Sequence, residues 1–103
     1  MEKDFNVSLD GTSLTIKLGE TLGISNAPVL MEELNTYKGQ GVETVVFDAT
    51  DMNYISSSGI RTILFAKQKL EKNPAIIFVN CKDDIRNVFT MTGLQNYITF
   101  QSK

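Results

Sequence analysis

The chain has 103 residues, of which 42% are hydrophobic and 21% charged; its formal net charge is −2 and it contains no histidine. Those figures describe one small globular domain over residues 1–103, with ~65% of the unfolded surface buried and one thin core, and they exclude a disordered tail or two domains. Without histidine the chain cannot build a Ser–His–Asp or Cys–His nucleophile or a metal site based on imidazole, and a pI of about 5.0 with no Lys/Arg cluster argues against nucleic acid as a partner.

Phe5, Val7 and Leu9 alternate with polar residues, as do Leu14, Ile16 and Leu18, and Asp10-Gly11 stands between the two runs. The spacing predicts a hairpin whose tight turn uses the positive φ open to an Asp-Gly pair. One face of each strand is apolar and the other carries Thr, Ser and Lys, so the pair should cover the core from one side. The period then changes. Ala27, Leu30, Met31 and Leu34 fall at i, i+3, i+4 and i+7, the stripe of an amphipathic helix. Ser25 or Asn26 can cap it, Pro28 is tolerated in its first turn, and Gly39 and Gly41 end it.

Val45-Val46-Phe47 within Val42–Asp48, and the run Ala75–Val79, show no polar alternation, which predicts strands buried on both faces. Between them, Ile60, Ile63, Leu64 and Leu70 define one side of a helix, with Arg61, Lys67 and Lys69 outside it. Strand–helix–strand of this kind implies a right-handed parallel crossover. Asp83 or Asp84 can cap a last helix bearing Ile85, Val88 and Phe89, which Gly93 stops, and Tyr97–Phe100 reads as a short final strand or extended edge. The order is β-β-α-β-α-β-α-(β), an α/β sandwich with a mixed sheet.

The segment from Asp48 to Arg61 joins a buried strand to a helix, where ligands and partners of such sheets tend to sit. It holds three consecutive serines, Ser56, Ser57 and Ser58, followed by Gly59. With Ser56 as N-cap, Ile55 and Ile60 occupy the N′ and N4 positions of a hydrophobic staple. Ser57 and Ser58 then lie in the first turn, beside amides that have no intrahelical acceptor. Gly59 permits close approach of another backbone or of a partner. Capping accounts for one serine. The other two are either solvated or, in the functional reading, offer an exposed hydroxyl to a kinase.

Here the chain resembles a STAS domain of the anti-sigma factor antagonist type. The likeness spans the hairpin, the Gly23–Leu34 helix start, the strand ending at Asp48, the loop Tyr54–Arg61, the Pro74–Asn80 strand and the Phe89–Leu94 segment, with the loop as its specific part. In the family pattern Asp-Ser-Ser/Ala-Gly-Leu/Ile, the serine directly after the Asp position is phosphorylated; carried over, it is Ser57. Ser56 replaces that Asp. Both are good N-caps, so the helix start is kept while a negative charge beside the acceptor hydroxyl is lost.

The resemblance implies a domain that binds an anti-sigma factor serine kinase when Ser57 is dephosphorylated, and a metal-dependent serine phosphatase that restores binding. Asp48, Met52, Tyr54, Ser56, Ser58, Gly59 and Arg61 are the candidate partner contacts. Ile55 belongs with them on sequence grounds, although its register suits the staple. No catalytic residue, metal or cofactor is implied.

The rivals are weaker. Val45-Val46-Phe47-Asp48 has a superficial likeness to a receiver domain, but that chemistry needs Mg²⁺ and an acidic pair after the first strand. The chain's Asp83-Asp84 pair follows the last buried strand instead. A serine nucleophile lacks both a Gly-x-Ser-x-Gly elbow and a histidine base. A STAS scaffold or subunit of a larger sensory assembly, never phosphorylated, is the remaining alternative. One cysteine, Cys81, can form no internal disulfide, and with no signal-peptide pattern at Met1–Asp10 the expected location is cytoplasmic. No apolar run reaches the ~20 residues that span a bilayer, so a membrane partner is not expected. The oligomeric state is left open.

Overall fold

The computed structural model describes residues 5–70 and 74–102. Strands β1 (Phe5–Asp10) and β2 (Ser13–Leu18) pair antiparallel from Phe5↔Leu18 to Asp10↔Ser13. Gly11 opens the two-residue loop between them at φ +63°. Asp10 is therefore the last paired residue, and positive φ at the first loop position alone is the type II′ pattern, which selects Gly there.

Strands β4 (Thr44–Asp48), β6 (Ala75–Val79) and β7 (Thr99–Gln101) extend the sheet in the order β1-β2-β4-β6-β7, and every pairing beyond the hairpin is parallel. The crossovers are α1 (Ala27–Asn35), α2 (Ser57–Lys69) and α3 (Asp83–Met91). A 3-10 turn, Gln95–Tyr97, leads into β7. The α/β sandwich with a mixed sheet stands as expected from the sequence.

One expectation is corrected. Val45, Phe47, Ile76 and Phe78 are buried, yet Val46 and Ile77 between them are only half-buried. The buried residues of all three helices join one cluster with Leu14, Ile16, Val45, Phe47, Ile76 and Phe78. The helices thus cover one face of the sheet, and the apolar runs do not mark strands enclosed on both sides. Aromatic contacts fill the covered face. Phe47 stacks on Phe78 at 5.1 Å and Phe78 meets Phe89 of α3 edge-on at the same distance, pairs worth ~1 kcal/mol each beyond their burial.

Capping differs in detail from the sequence reading. Asn26 stands at the N-cap of α1, but its side chain makes no cap bond. It turns back to accept from the Gly23 amide at 2.7 Å and to donate to the Thr21 carbonyl at 2.7 Å, which fixes the turn before the helix. For α3 the N-cap is Lys82, and Asp83 and Asp84 fall in the first turn, where their charge suits the helix dipole. Cys81 is half-buried, and its thiol is pushed up to about 11 by burial, with Arg86 opposing and Asp83 adding to the shift. At neutral pH it is a protonated thiol, not a nucleophile.

Candidate functional site

Two strands of two residues each make a second, small sheet: β3 (Thr21–Leu22) and β5 (Tyr54–Ile55), paired parallel with Thr21↔Tyr54 and Leu22↔Ile55. This device escaped the sequence reading. It positions the loop that carries the serines. The Glu20 carbonyl accepts from the amides of Asn53 (2.7 Å) and Tyr54 (3.1 Å), and the Leu22 carbonyl accepts from the Ser56 amide (2.9 Å).

The start of the loop is held by a polar network. Asp48 Oδ1 accepts from the Thr50 amide at 3.1 Å and from the Thr50 hydroxyl at 2.5 Å, an Asx-turn that closes the strand end. Asn80 Nδ2 donates to the same hydroxyl at 3.0 Å. Lys17 Nζ lies 3.9 Å from Asp48 and 3.7 Å from Asp51, and Lys82 donates to the Asn53 side chain. Asp48 therefore organises the loop. The exposed Lys17 pairs contribute little stability but offset two negative charges at this end of the sheet.

The helix start follows the predicted register. Ser56 is the N-cap, and its Oγ accepts from the Gly59 amide at 3.3 Å. The first intrahelical bond runs from the Ile60 amide to the Ser56 carbonyl at 3.0 Å. Ile55 is buried and Ile60 packs against the core cluster, as N′ and N4 of a staple should. Ser57 sits at N1 and is exposed, while Ser58 at N2 is half-buried and its carbonyl accepts from the Thr62 hydroxyl at 3.1 Å. Among the described residues no hydrogen bond engages the Ser57 side chain.

Two candidate contacts are corrected. Met52 has no exposed surface and belongs to the core. It anchors the loop from beneath, through its side chain and through a hydrogen bond of 3.1 Å that its amide donates to the Ala49 carbonyl. Gly59 is also buried, and a Cβ there would lie 2.6 Å from Ile55 Cγ1 and 2.7 Å from the Leu22 carbonyl oxygen. The close approach that glycine permits is to the chain's own β3, not to a partner. Tyr54, 56% exposed, and Arg61 remain on the surface.

Two residues of the region, Thr62 and Ile24, went unnoticed in the sequence, and a third, Asn26, was read only as a helix cap. Thr62 is fully buried and its hydroxyl also reaches the Ala27 carbonyl at 3.2 Å, tying α2 to the first turn of α1. Asn26 locks the preceding turn, and Ile24 on that turn is 81% exposed. A buried threonine within an apolar helix face was the available signal for the first; an isolated Ile before a helix gives none.

The division between Ser56 and Ser57 is open to a direct check. Ser56→Ala should cost ~1 kcal/mol through loss of the cap and lower Tm by about 4–8 °C. Ser57→Ala should leave Tm within about 2 °C, since no bond is lost at an exposed first-turn position. Thermal melts of both variants make the comparison.

No helix among the described residues is long and apolar enough to cross a membrane, and among them no cluster of three metal-ligating side chains forms. The STAS domain family model matches residues 5–103. A relative from Bordetella bronchiseptica, BtrV, to which an anti-sigma factor antagonist role is ascribed, is 31% identical over 86 residues, covering 82% of this chain and 73% of the relative. Among solved structures, the anti-sigma factor antagonist SpoIIAA in its unphosphorylated form superposes with a TM-score of 0.81 at 21% identity, over 93% of this chain and 86% of that one. The phosphorylated form of Bacillus SpoIIAA gives 0.73 at 21% identity, over 93% and 89%. On the strength of the family match along nearly its whole length, the chain belongs to the STAS domain family.

Proposed function

We propose that the chain is a phosphorylation-switched anti-sigma factor antagonist with Ser57 as its phosphoacceptor. In the dephosphorylated form it binds an anti-sigma factor that is itself a serine kinase. Transfer of a phosphoryl group from ATP to Ser57 Oγ, with departure of the hydroxyl proton, ends the complex. A metal-dependent serine phosphatase hydrolyses the ester and restores binding. On this reading the protein works in the cytoplasm, on transcription. Family membership places it among binding proteins and not enzymes, so the catalytic groups belong to its partners.

The observation that carries the reading is the separate use of the three serines. Ser56 Oγ is occupied by the Gly59 amide, Ser58 is half-buried, and Ser57 is exposed at the first position of α2. The antagonist role ascribed to BtrV and the two phosphorylation forms of SpoIIAA support it. Tyr54, Ser58 and Arg61 surround the acceptor as contacts for the partner, and Asp48 holds the loop that presents them.

Incubation with the cognate kinase and ATP, followed by phosphopeptide mapping, tests the assignment. Phosphate at Ser57, lost completely in Ser57→Ala, is the expected result. Phosphate at Ser56 or Ser58 with Ser57 unmodified would overturn it.

A further inference from the structure

Arg61 stands one helical turn after Ser57 on α2, and both residues are exposed. Residues at i and i+4 of a helix are surface neighbours, with Cβ atoms about 6 Å apart, and an acid placed N-terminal to the base is the more favourable order. The other cations at this end of the sheet are engaged. Lys17 lies between Asp48 and Asp51, and Lys82 is held by the Asn53 side chain. Among the described residues, Arg61 has no ion-pair or hydrogen-bond partner.

We infer that Arg61 receives the phosphoryl group of phosphorylated Ser57 within the same chain. This deepens the proposed switch and rests on Ser57 being its acceptor. The guanidinium is planar, permanently charged and able to give two parallel N–H bonds to phosphate oxygens. A phosphoserine brings about −1.5 to −2 charges near pH 7. Phosphorylation then alters the docking surface twice, adding an anion at Ser57 and withdrawing from the partner the cation that Arg61 offered. The charge of the Ser57–Arg61 pair passes from positive to negative with no movement of the backbone.

The charged groups on the segments packed around this turn are few. Glu20 precedes β3, Asp48 ends β4 and Asp51 follows it with Lys17 beside both, Lys82 is held by Asn53, α1 packs on α2 and brings Glu32 to the groove beside Phe65, and the turn before α1 contributes none. The carboxylates disfavour a second negative charge on the phosphate, and Arg61 favours it. Removing Arg61 should therefore raise the second pKa of the phosphoserine.

The experiment places phosphoserine at position 57 by genetic encoding and follows the phosphate by 31P NMR across pH in the wild type, Arg61→Gln and Arg61→Lys. At low ionic strength Arg61→Gln should raise the second pKa by about 0.5 unit, equivalent to about 0.7 kcal/mol. Arg61→Lys should recover most of that difference, and about 1 M salt should shrink it. A titration in Arg61→Gln within about 0.1 unit of wild type would overturn the inference, as would an Arg61→Lys curve that matches Arg61→Gln. The phosphoserine is installed without a kinase, so this outcome is independent of whether a kinase uses Ser57, which phosphopeptide mapping decides separately.

Discussion

Phosphorylation of Ser57 is expected to weaken binding to the anti-sigma factor by ~100-fold or more while the fold stays as stable as before. The two halves have different physical origins. Ser57 is exposed at the first position of α2, so the phosphoryl group is added on the solvent side and no buried packing is disturbed. A negative charge at a helix N-terminus is favourable by ~0.3–1 kcal/mol. For a domain of this size that amounts to an unchanged Tm or a rise of a few degrees, about 4–8 °C per kcal/mol. At an interface the same dianion must be desolvated beside a partner that was packed against a neutral hydroxyl. An uncompensated buried charge costs ~3 kcal/mol or more, and each 1.4 kcal/mol is a factor of about ten in Kd.

Calorimetric titration and thermal melts of the phosphorylated and unmodified protein test both halves together. Ser57→Asp, with one charge and a smaller group, should show a weaker loss of affinity in the same direction. If the phosphorylated protein melted about 10 °C lower, and the loss of folded fraction accounted for the loss of binding, the switch would be conformational and the surface-charge account would fail.

The main architecture was legible because its elements are long enough to show a period. The alternation of β1 and β2, the stripe of α1, and the cap and staple around Ser56 all came from local pattern, and the structure keeps each of them. The fault with Val45-Val46-Phe47 and Ile76-Ile77-Phe78 is of another kind. A run without polar residues is what a doubly covered strand would have, but a half-exposed Val or Ile at the centre of a single open face is tolerated just as well, since much of any folded surface is apolar. Met52 was misplaced for a similar reason. Its neighbours in the loop are polar, and nothing in the sequence says that the chain dips to the core at that residue. The pair β3–β5 lay beyond reach because two residues have no period at all. Its only sequence trace is Gly59, whose need for a missing side chain is set by Leu22, 37 positions earlier in the chain.

That dependence yields the second large effect: Gly59→Ala should destabilise the domain by ~2–3 kcal/mol and lower Tm by about 10–20 °C. Local propensity predicts the opposite sign. Alanine is better than glycine inside a helix by ~1 kcal/mol, and Gly59 lies at the third position of α2. The tertiary contact outweighs this. A Cβ at position 59 would sit 2.7 Å from the Leu22 carbonyl oxygen, 2.6 Å from Ile55 Cγ1 and 3.1 Å from Leu22 Cγ.

Ile55 can turn, although it is buried as part of the staple, but the carbonyl belongs to the backbone of β3 and already accepts from the Ser56 amide at 2.9 Å. Relief requires β3 to part from α2, which lengthens the Ser56 bond and loosens the Leu22↔Ile55 pairing. Those are the contacts that hold the serine loop, so Gly59→Ala should also weaken partner binding by more than its loss of folded protein explains. Melts at neutral pH read the stability term, and titration well below the lowered Tm reads the binding term. A variant with wild-type or higher Tm would mean that β3 yields freely, and the small sheet would then have no part in presenting Ser57.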